Sequence, residues 1–233
     1  AKMARELSVQ NKVEFDIGEL VLGLECGGSD PTSGIAGNPS VGAASDKLIQ
    51  LGGTSILSET TELIGAEHLV AARCVTKEMG DKLTAMVKRI EDKSKLYGVD
   101  LRGTQPTPGN IAGGLTTIEE KSLGCIHKAG QSPVIGVLEY SEAVDPEKHG
   151  LYFMDTPGED IDSITGMVAG GAQIILFTTG RGTPTGSPVA PVIKVTGNPE
   201  TYAKMTDNID INAGRVITEG KTPQDIGAEI FDK

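Results

Sequence analysis

The chain has 233 residues and a formal net charge of −11, and this length can bury a substantial core in one large domain or two small ones. The negative charge argues against nucleic acid as a partner, because proteins that bind phosphate backbones need clustered lysine and arginine. No stretch approaches 18 apolar residues, so the sequence predicts no membrane partner, and the three cysteines favour a reducing compartment, with the cytoplasm as the expected location.

The first half of the chain alternates predicted strands and helices. Leu20 to Leu24 is typical of a short buried strand, and the next strand follows the glycine pair at 52–53. Asn38 followed by proline predicts the N-cap of a helix. The predicted elements are a strand over 20–24, a helix over about 39–51, a strand over 54–57, and helices over 59–73, 76–97 and 116–128.

The second half continues the alternation, with strands over 133–138, 151–154, 172–177 and 191–195 and helices over 160–169 and from 222 onward. Such alternation predicts an α/β fold with a mostly parallel central sheet flanked by helices and with glycine-rich loops at the strand ends. We expect residues 1–233 to form a single domain, with a possible subdivision near 100–113. The chain does not begin with methionine, which suggests a piece of a longer protein.

Glycine makes up 31 of the residues, roughly twice the average share of ~7%. The glycines follow apolar runs and show no fixed period, which is typical of ligand-facing loops at the ends of strands. We expect the loops at 25–34, 105–114 and 178–186 to lie together at a single site. The middle loop includes Asn110 as a candidate substrate-binding residue.

The segment FTTGRGTPTG, residues 177–186, follows the most clearly apolar strand. Open α/β sheets bind ligands beyond the carboxyl ends of their strands, and successive backbone N–H groups of a glycine-rich turn can hold an anion. Arg181 could add two parallel hydrogen bonds to a carboxylate. The alternative is an ordinary turn with a solvated arginine. The predicted anion-binding residues are Thr179, Gly180, Arg181 and Gly182.

The segment LECGGSDPTSGIAGNPSVG, residues 24–42, leaves a strand and carries small and polar residues. Cys26 could be a metal ligand, a nucleophile or a small buried hydrophobic residue, and the last is the commonest. The loop after it adds Gly28, Ser29, Asp30 and Asn38 as candidate substrate-binding residues.

Glu59 and Glu62 follow the strand at 54–57. Acidic residues there suit a helix dipole without any function, yet a metal-binding carboxylate or general base would occupy the same place. His68 is further along, and a lone histidine is more often structural than catalytic. Cys125 and His127 cannot converge on a metal ion, because residues two apart on a helix point in different directions, so Cys125 is predicted to be core.

Several segments together resemble one known family. They are GLECGGSDPTSGIAGNPSVG, SETTELIGAEHL, PTPGNIAGGLTTIEEKSLG, FTTGRGTPTG, PVIKVTGN and DIDINAG. In this order, over nearly all of residues 18–231, they are similar to the C-terminal domain of the altronate/D-galactarate dehydratases, to which the sulfolactate sulfo-lyase large subunit is related. The resemblance implies a lyase acting on a sugar-derived hydroxy acid with iron(II), completed by an N-terminal domain or a separate small subunit. A homo-oligomer is also expected.

Dehydration of a 2,3-dihydroxy acid removes the proton beside a carboxylate and expels the neighbouring hydroxyl, so it needs a cation and fixed donors for the developing negative charge. Arg181 and Lys194 could be donors, and Cys26 with Glu59 could hold iron(II) or another divalent metal. Lys194 and His68 are the candidate bases. The alternatives are a carbon–sulfur lyase of the sulfolactate type, or a non-catalytic anion-binding or assembly domain.

Overall fold

Seven strands form one sheet at the centre of the protein. The computed structural model describes residues 8–11 and 13–233, so residues 1–7 and 12 of the predicted domain lie outside the described part. The strand order is β3-β4-β2-β1-β5-β6-β7, and each neighbouring pair is parallel. The strands are β1 Val21–Cys26, β2 Thr54–Leu57, β3 Val134–Leu138, β4 Leu151–Met154, β5 Ile174–Thr179, β6 Val192–Thr196 and β7 Ile211–Asn212. The predicted α/β fold with a parallel sheet is confirmed.

Helices cover the sheet. They are α1 Asn38–Gln50, α2 Glu67–Ala71, α3 Lys77–Leu96, α4 Leu101–Thr104, α5 Pro108–Ala112, α6 Ile118–Cys125, α7 Asp160–Ala169, α8 Pro199–Lys204, α9 Arg215–Thr218 and α10 Pro223–Phe231. Side-chain caps begin several of them, since Thr76, Thr117 and Thr222 each accept a hydrogen bond from a backbone N–H of the first turn. Within the described ranges, no helix is long and apolar enough to cross a membrane.

The predicted N-cap at Asn38 is wrong. The chain is already helical from Pro31, and a π-helical turn over Ser33–Gly37 runs directly into α1. Asp30 takes the capping position instead, because its Oδ1 accepts a hydrogen bond from the Ser33 N–H at 3.2 Å. Asn38 is buried and has helical dihedral angles, and its amide is free to bond elsewhere.

The predicted continuous helix over 59–73 is also interrupted. A 3₁₀ turn over Thr60–Leu63 precedes Gly65, whose φ of 91° separates it from α2. Likewise, the helix predicted over 116–128 changes at Cys125 into a 3₁₀ turn over Ile126–Ala129. The first of these turns carries Glu62 and the second carries Lys128, and the two side chains form an ion pair.

The two faces of the sheet have separate cores. One face, here the α7 face, packs against α7 through Ile56, Met154, Ile175, Phe177, Ile164 and Met167. The opposite face, here the α1 face, packs against α1, α3, α6 and α10 through Leu24, Leu57, Leu176, Val195 and their neighbours. Successive strand residues alternate between the faces. Glu25 pairs with Phe177 and Phe177 with Lys194, so these three residues lie in one row on the α7 face.

Candidate functional site

The three glycine-rich loops meet at the carboxyl ends of β1 and β5. The Gly27 N–H donates to the Thr178 carbonyl at 3.0 Å, and the Arg181 N–H donates to the Gly28 carbonyl at 2.8 Å. The third loop lies against Arg181, because a Cβ on Gly109 would come within 2.3 Å of the guanidinium. The structure therefore brings loops 25–34, 105–114 and 178–186 together.

Two positions in these loops require glycine for structural reasons. Gly28 has a φ of 61°, a left-handed conformation that other residues rarely adopt. A Cβ on Gly180 would lie 2.3 Å from Cγ of Asp30, so only glycine allows that approach. The Asp30 carboxylate is buried and accepts hydrogen bonds from Asn198 and Thr32. Asp30 and Gly180 thus join the loops to each other.

A buried ionic network lies beneath the loop after β2. The Lys128 side chain is fully enclosed, and its Nζ donates to Glu59 Oε2 at 2.7 Å and to Glu62 Oε2 at 2.9 Å. Lys121 Nζ lies 2.8 Å from the other Glu62 oxygen. Glu59 Oε2 also accepts the Cys26 N–H at 2.9 Å. The positive charges of two lysines and the negative charges of two glutamates therefore compensate each other at the end of β1.

Sequence reasoning missed both lysines. Lys121, Cys125 and Lys128 are spaced i, i+4 and i+7, which puts them on one side of a helical segment. That spacing was the available signal, but only the Cys125 and His127 pair was considered. The change from α6 to the 3₁₀ turn keeps Cys125 and Lys128 directed toward the end of β1.

Three carboxyl groups form a second cluster on the α7 face. One oxygen from each of Glu25, Glu59 and Asp160 lies within 4.8 Å of the others. Glu25 is fully buried, and its Oε1 has no hydrogen-bond partner among the described residues. Carboxylates this close repel one another unless a proton or a cation lies between them. The cluster therefore has the chemistry of a hard-cation site.

The pKa values of these carboxyl groups reflect this crowding. Burial, and then the charge of Glu59, raise the pKa of Glu25 well above its usual range. Burial and the Glu62 charge raise the pKa of Glu59 to about 7, against the lowering effect of Lys128. Burial and Glu62 also raise the pKa of Asp160. At neutral pH the cluster thus holds protons more readily than isolated carboxylates do.

Glu59 has a strained backbone. Its φ of 67° and ψ of 74° place a non-glycine residue in the left-handed region, at a typical cost of about 1–3 kcal/mol. Its N–H donates to Thr156 Oγ1 at 2.7 Å, which helps to hold this conformation. Strained residues of this kind concentrate at functional sites. In this conformation the Glu59 carboxylate lies between the ionic network around Lys128 and the cluster with Glu25 and Asp160.

The Cys26 thiol lies on the α1 face. Its Sγ donates to Glu62 Oε2 at 2.8 Å and lies 3.7 Å from Cys125 Sγ. The contact with Cys125 and burial raise the pKa of Cys26 well above its usual value. Because Glu25 and Cys26 are consecutive strand residues, their side chains point to opposite faces. The predicted Cys26–Glu59 ligand pair is therefore divided between two groups, with the Cys26 thiol beside Glu62 and the Glu59 carboxylate beside Glu25.

A cavity of about 270 Å³ opens beside the thiols. It lies between the π-helical turn and α6, and the predicted residues Ser29, Asp30 and Asn38 line it together with Lys121, Cys125 and His127. The Asn38 amide donates to the Gly124 carbonyl at 3.0 Å and accepts from Thr178 at 2.7 Å, which fixes this wall. The cavity adjoins the ionic network, because Lys121 belongs to both.

The remaining predicted residues lie in different settings. His68 is exposed on α2, and no hydrogen bond or ion pair joins it to the clusters in the described part of the chain. Lys194 is 7% exposed, and its ammonium has no bonding partner among residues 8–11 and 13–233. Arg181 is exposed beside Gly109, whereas Asn110 is buried. Thr179 is buried and accepts the Gly182 N–H at 2.9 Å.

The sequence is similar to known proteins over most of its length. The family model described as D-galactarate/altronate dehydratase, C-terminal, matches residues 17–233. The (2R)-sulfolactate sulfo-lyase subunit beta of Chromohalobacter salexigens is 42% identical over 93% of this chain and 56% of its own length. The galactarate dehydratase (L-threo-forming) of Escherichia coli is 39% identical over 97% of the chain and 43% of its own length.

The altronate dehydratase of Bacillus subtilis is 42% identical over 86% of this chain and 40% of its own length. The chain thus spans about half the length of these relatives or less. The match extends over nearly the whole described fold, including both carboxylate and thiol clusters. The chain belongs to the D-galactarate/altronate dehydratase C-terminal family.

Proposed function

We propose that the chain is the catalytic domain of a hydro-lyase that dehydrates a sugar-derived hydroxy acid, such as altronate or galactarate, with iron(II) or another divalent metal. Relatives that carry these names match most of the chain at 39–42% identity. The observation that carries the proposal is the Glu25, Glu59 and Asp160 cluster, whose carboxyl oxygens lie within 4.8 Å of one another, since a lyase of this kind needs a cation where negative charge develops.

The residues of the cluster fit a divalent ion. Carboxylate oxygens are suitable ligands for iron(II), manganese and magnesium, and Glu25 Oε1 is a buried acceptor without a donor among the described residues. We propose Glu25, Glu59 and Asp160 as the ligands, which replaces the thiol of Cys26 by two further carboxylates. A bound ion would supply Lewis-acid stabilisation of the enediolate that forms beside the substrate carboxylate.

Lys121 has the properties of a fixed electrostatic donor. Burial lowers its pKa, but Glu62 and the nearby thiols raise the pKa by more than burial lowers it. The net pKa therefore lies above the usual lysine value. Its ammonium lines the cavity while Glu62 holds it in place. We propose that it donates to a substrate carboxylate oxygen. The fully buried Lys128 is a positioning residue, because it holds Glu59 and Glu62 without reaching the cavity.

We propose Lys194 rather than His68 as the base that removes the proton beside the carboxylate. Lys194 shares the α7 face with Glu25, separated from it by Phe177 alone, and is buried without a carboxylate partner among the described residues. His68 is exposed and unconnected to either cluster. Ser29 and Asn38 line the cavity and remain proposed substrate contacts, as do the 179–182 backbone groups and Arg181 at the adjoining loop.

A carbon–sulfur lyase is the second candidate. One relative is named as subunit beta of a (2R)-sulfolactate sulfo-lyase, and it matches 93% of the chain at 42% identity. Elimination of sulfite from a sulfonate begins with the same proton removal beside a carboxylate, so the same cation and donors would serve both reactions. Because the relatives are longer, we propose that the working enzyme includes a further domain or a small subunit and forms a homo-oligomer.

The test is anaerobic loading with iron(II) followed by a screen of altronate, galactarate and sulfolactate. The chain is assayed alone and with the remaining part of a relative supplied in trans. Keto-acid formation without sulfite supports the hydro-lyase, and sulfite release supports the second candidate. Lys194→Gln should lower kcat by a large factor with KM little changed, whereas His68→Gln should match wild type. Binding of these acids without turnover in either format would favour a non-catalytic anion-binding domain.

A further inference from the structure

We propose that Cys26 and Cys125 form an oxidation-sensitive modification site, which hydrogen peroxide converts to an intramolecular disulfide. The two residues come from different elements, the end of β1 and the end of α6. Their sulfur atoms lie 3.7 Å apart. A disulfide bond is about 2.05 Å long, so the sulfurs need to approach by only roughly 1.7 Å.

The cavity gives peroxide a path to one thiol. Cys125 lines the cavity, although only 3% of the residue is exposed. Cys26 lies behind it and donates its S–H to Glu62. This order assigns Cys125 as the thiol that reacts first and Cys26 as the thiol that resolves the product. The third cysteine, Cys74, is half-buried in the segment after α2 and contacts the Val70 carbonyl instead.

The surrounding charges disfavour metal binding at these sulfurs. Cys26, Glu62 and Cys125 could hold an ion on distance alone. Both oxygens of Glu62, however, already bind ammonium groups, those of Lys121 and Lys128. A cation placed there would face two fixed positive charges, so the two sulfurs remain open to oxidation.

The reaction balances in two steps. The Cys125 thiolate attacks one peroxide oxygen, the O–O bond breaks, and hydroxide leaves to become water, so Cys125 becomes a sulfenic acid. The Cys26 thiolate then attacks the Cys125 sulfur, the S–O bond breaks, and a second hydroxide leaves as water. The two thiol protons end on the two water molecules. The sulfurs supply two electrons, and the peroxide is reduced by two.

Mass spectrometry of the wild-type chain tests the site without any activity assay. The reduced, metal-free protein is treated with hydrogen peroxide in EDTA and alkylated under denaturing conditions. The expected product has lost about 2 Da, as one disulfide requires, and peptide mapping links Cys26 to Cys125. Cys74 remains open to alkylation, and dithiothreitol restores all three thiols. Cys74→Ser is the matched control and should give the same cross-link.

Cys26→Ser checks the order of the two thiols, because Cys125 should then stop at a sulfenic acid that dimedone captures. Three results would overturn the proposal. The first is a cross-link that includes Cys74, and the second is irreversible sulfinic acid on Cys125 in wild type without a cross-link. The third is that the thiols of the folded protein stay reduced at peroxide levels that oxidise the same protein in urea. The wild-type result stands whether or not the serine variants fold.

Discussion

Lys128 carries its positive charge in the interior of the protein, where two carboxylates bind it and solvent does not reach. Such a group is stable only with its partners, since an unpaired buried charge is far more costly than the pair. The same contacts position the Glu59 carboxylate and hold Glu62 beside the Cys26 thiol. At the scale of single residues, Lys128 therefore determines the geometry of both clusters.

Lys128→Met should lower the free energy of unfolding by about 3–5 kcal/mol, because it leaves the buried Glu59 carboxylate without a cation and Glu62 with Lys121 alone. Urea denaturation of the chelator-treated protein at pH 7 measures this. Lys121→Met is the matched comparison and should have a smaller effect, since its side chain is 16% exposed and Glu62 keeps Lys128. Equal losses for the two variants would contradict the central position given to Lys128.

Glu62 should contribute to the pH dependence of stability. Burial raises its pKa, but Lys121 and Lys128 lower it more strongly, so the folded-state pKa lies well below the unfolded value of about 4.3. A depressed pKa stabilises the fold above the unfolded pKa and loses this effect as the pH falls toward the folded value. The stability difference between wild type and Glu62→Gln should therefore be large at pH 7 and shrink below about pH 4. A difference that stays constant from pH 7 to 3 would show that Glu62 is not held in this way.

At the scale of elements, the sequence predicts the bounds of those helices that are set by a regular apolar face and by a capping residue. The helix predicted over 76–97 is observed as Lys77–Leu96, because Thr76 caps it and its apolar face is regular. Asn38 failed as a cap because Asp30 starts the helix earlier, through a π-helical turn that no periodicity indicates. The helix predicted from Glu59 failed because tertiary contacts hold Glu59 in a left-handed conformation.

The position of the glycine-rich loops at the candidate site could be predicted from the sequence, but its buried charged residues could not. The glycine-rich loops indicated where the strand ends meet, since glycine placement reflects local backbone needs. Lys128 and Glu25 were missed because their importance depends on burial and on partners distant in sequence, which for Lys128 are 66 and 69 residues away. Cys26 and Glu59 are in contact through the Cys26 N–H, but the alternation of β1 determines which cluster each side chain joins.

The close packing of α1 against the 3₁₀ turn that carries Lys128 gives an element-scale prediction. A Cβ on Gly42 would lie 2.1 Å from the His127 carbonyl oxygen, and backbone cannot move away as a flexible side chain can. Gly42→Ala should therefore destabilise the protein by about 1–3 kcal/mol. Gly103→Ala is the control, because its nearest new contact is 3.6 Å away, and it should be neutral or slightly stabilising in thermal melts. A neutral Gly42→Ala would mean that α1 and the turn are not in this contact.

At the scale of the whole molecule, the parallel sheet brings the ends of β1, β2 and β5 to one edge, where open α/β sheets bind their ligands. The alternation of β1 separates a carboxylate cluster on the α7 face from a thiol pair on the α1 face. We assign the divalent metal of the proposed lyase to the first and peroxide chemistry to the second. The family to which the chain belongs supports the proposed reaction class, and we propose that the carboxylate cluster supplies the cation ligands for it.

Anaerobic titration of the reduced protein with iron(II), followed by calorimetry, tests the central claim most directly. We predict one ion per chain, a loss of affinity of at least about tenfold in Glu25→Gln, and near wild-type affinity in Cys26→Ser. Thermal melts of each variant confirm that the fold is retained. Unchanged iron(II) affinity in folded Glu25→Gln, or its loss in Cys26→Ser instead, would contradict the assignment of the metal to the carboxylates of the α7 face.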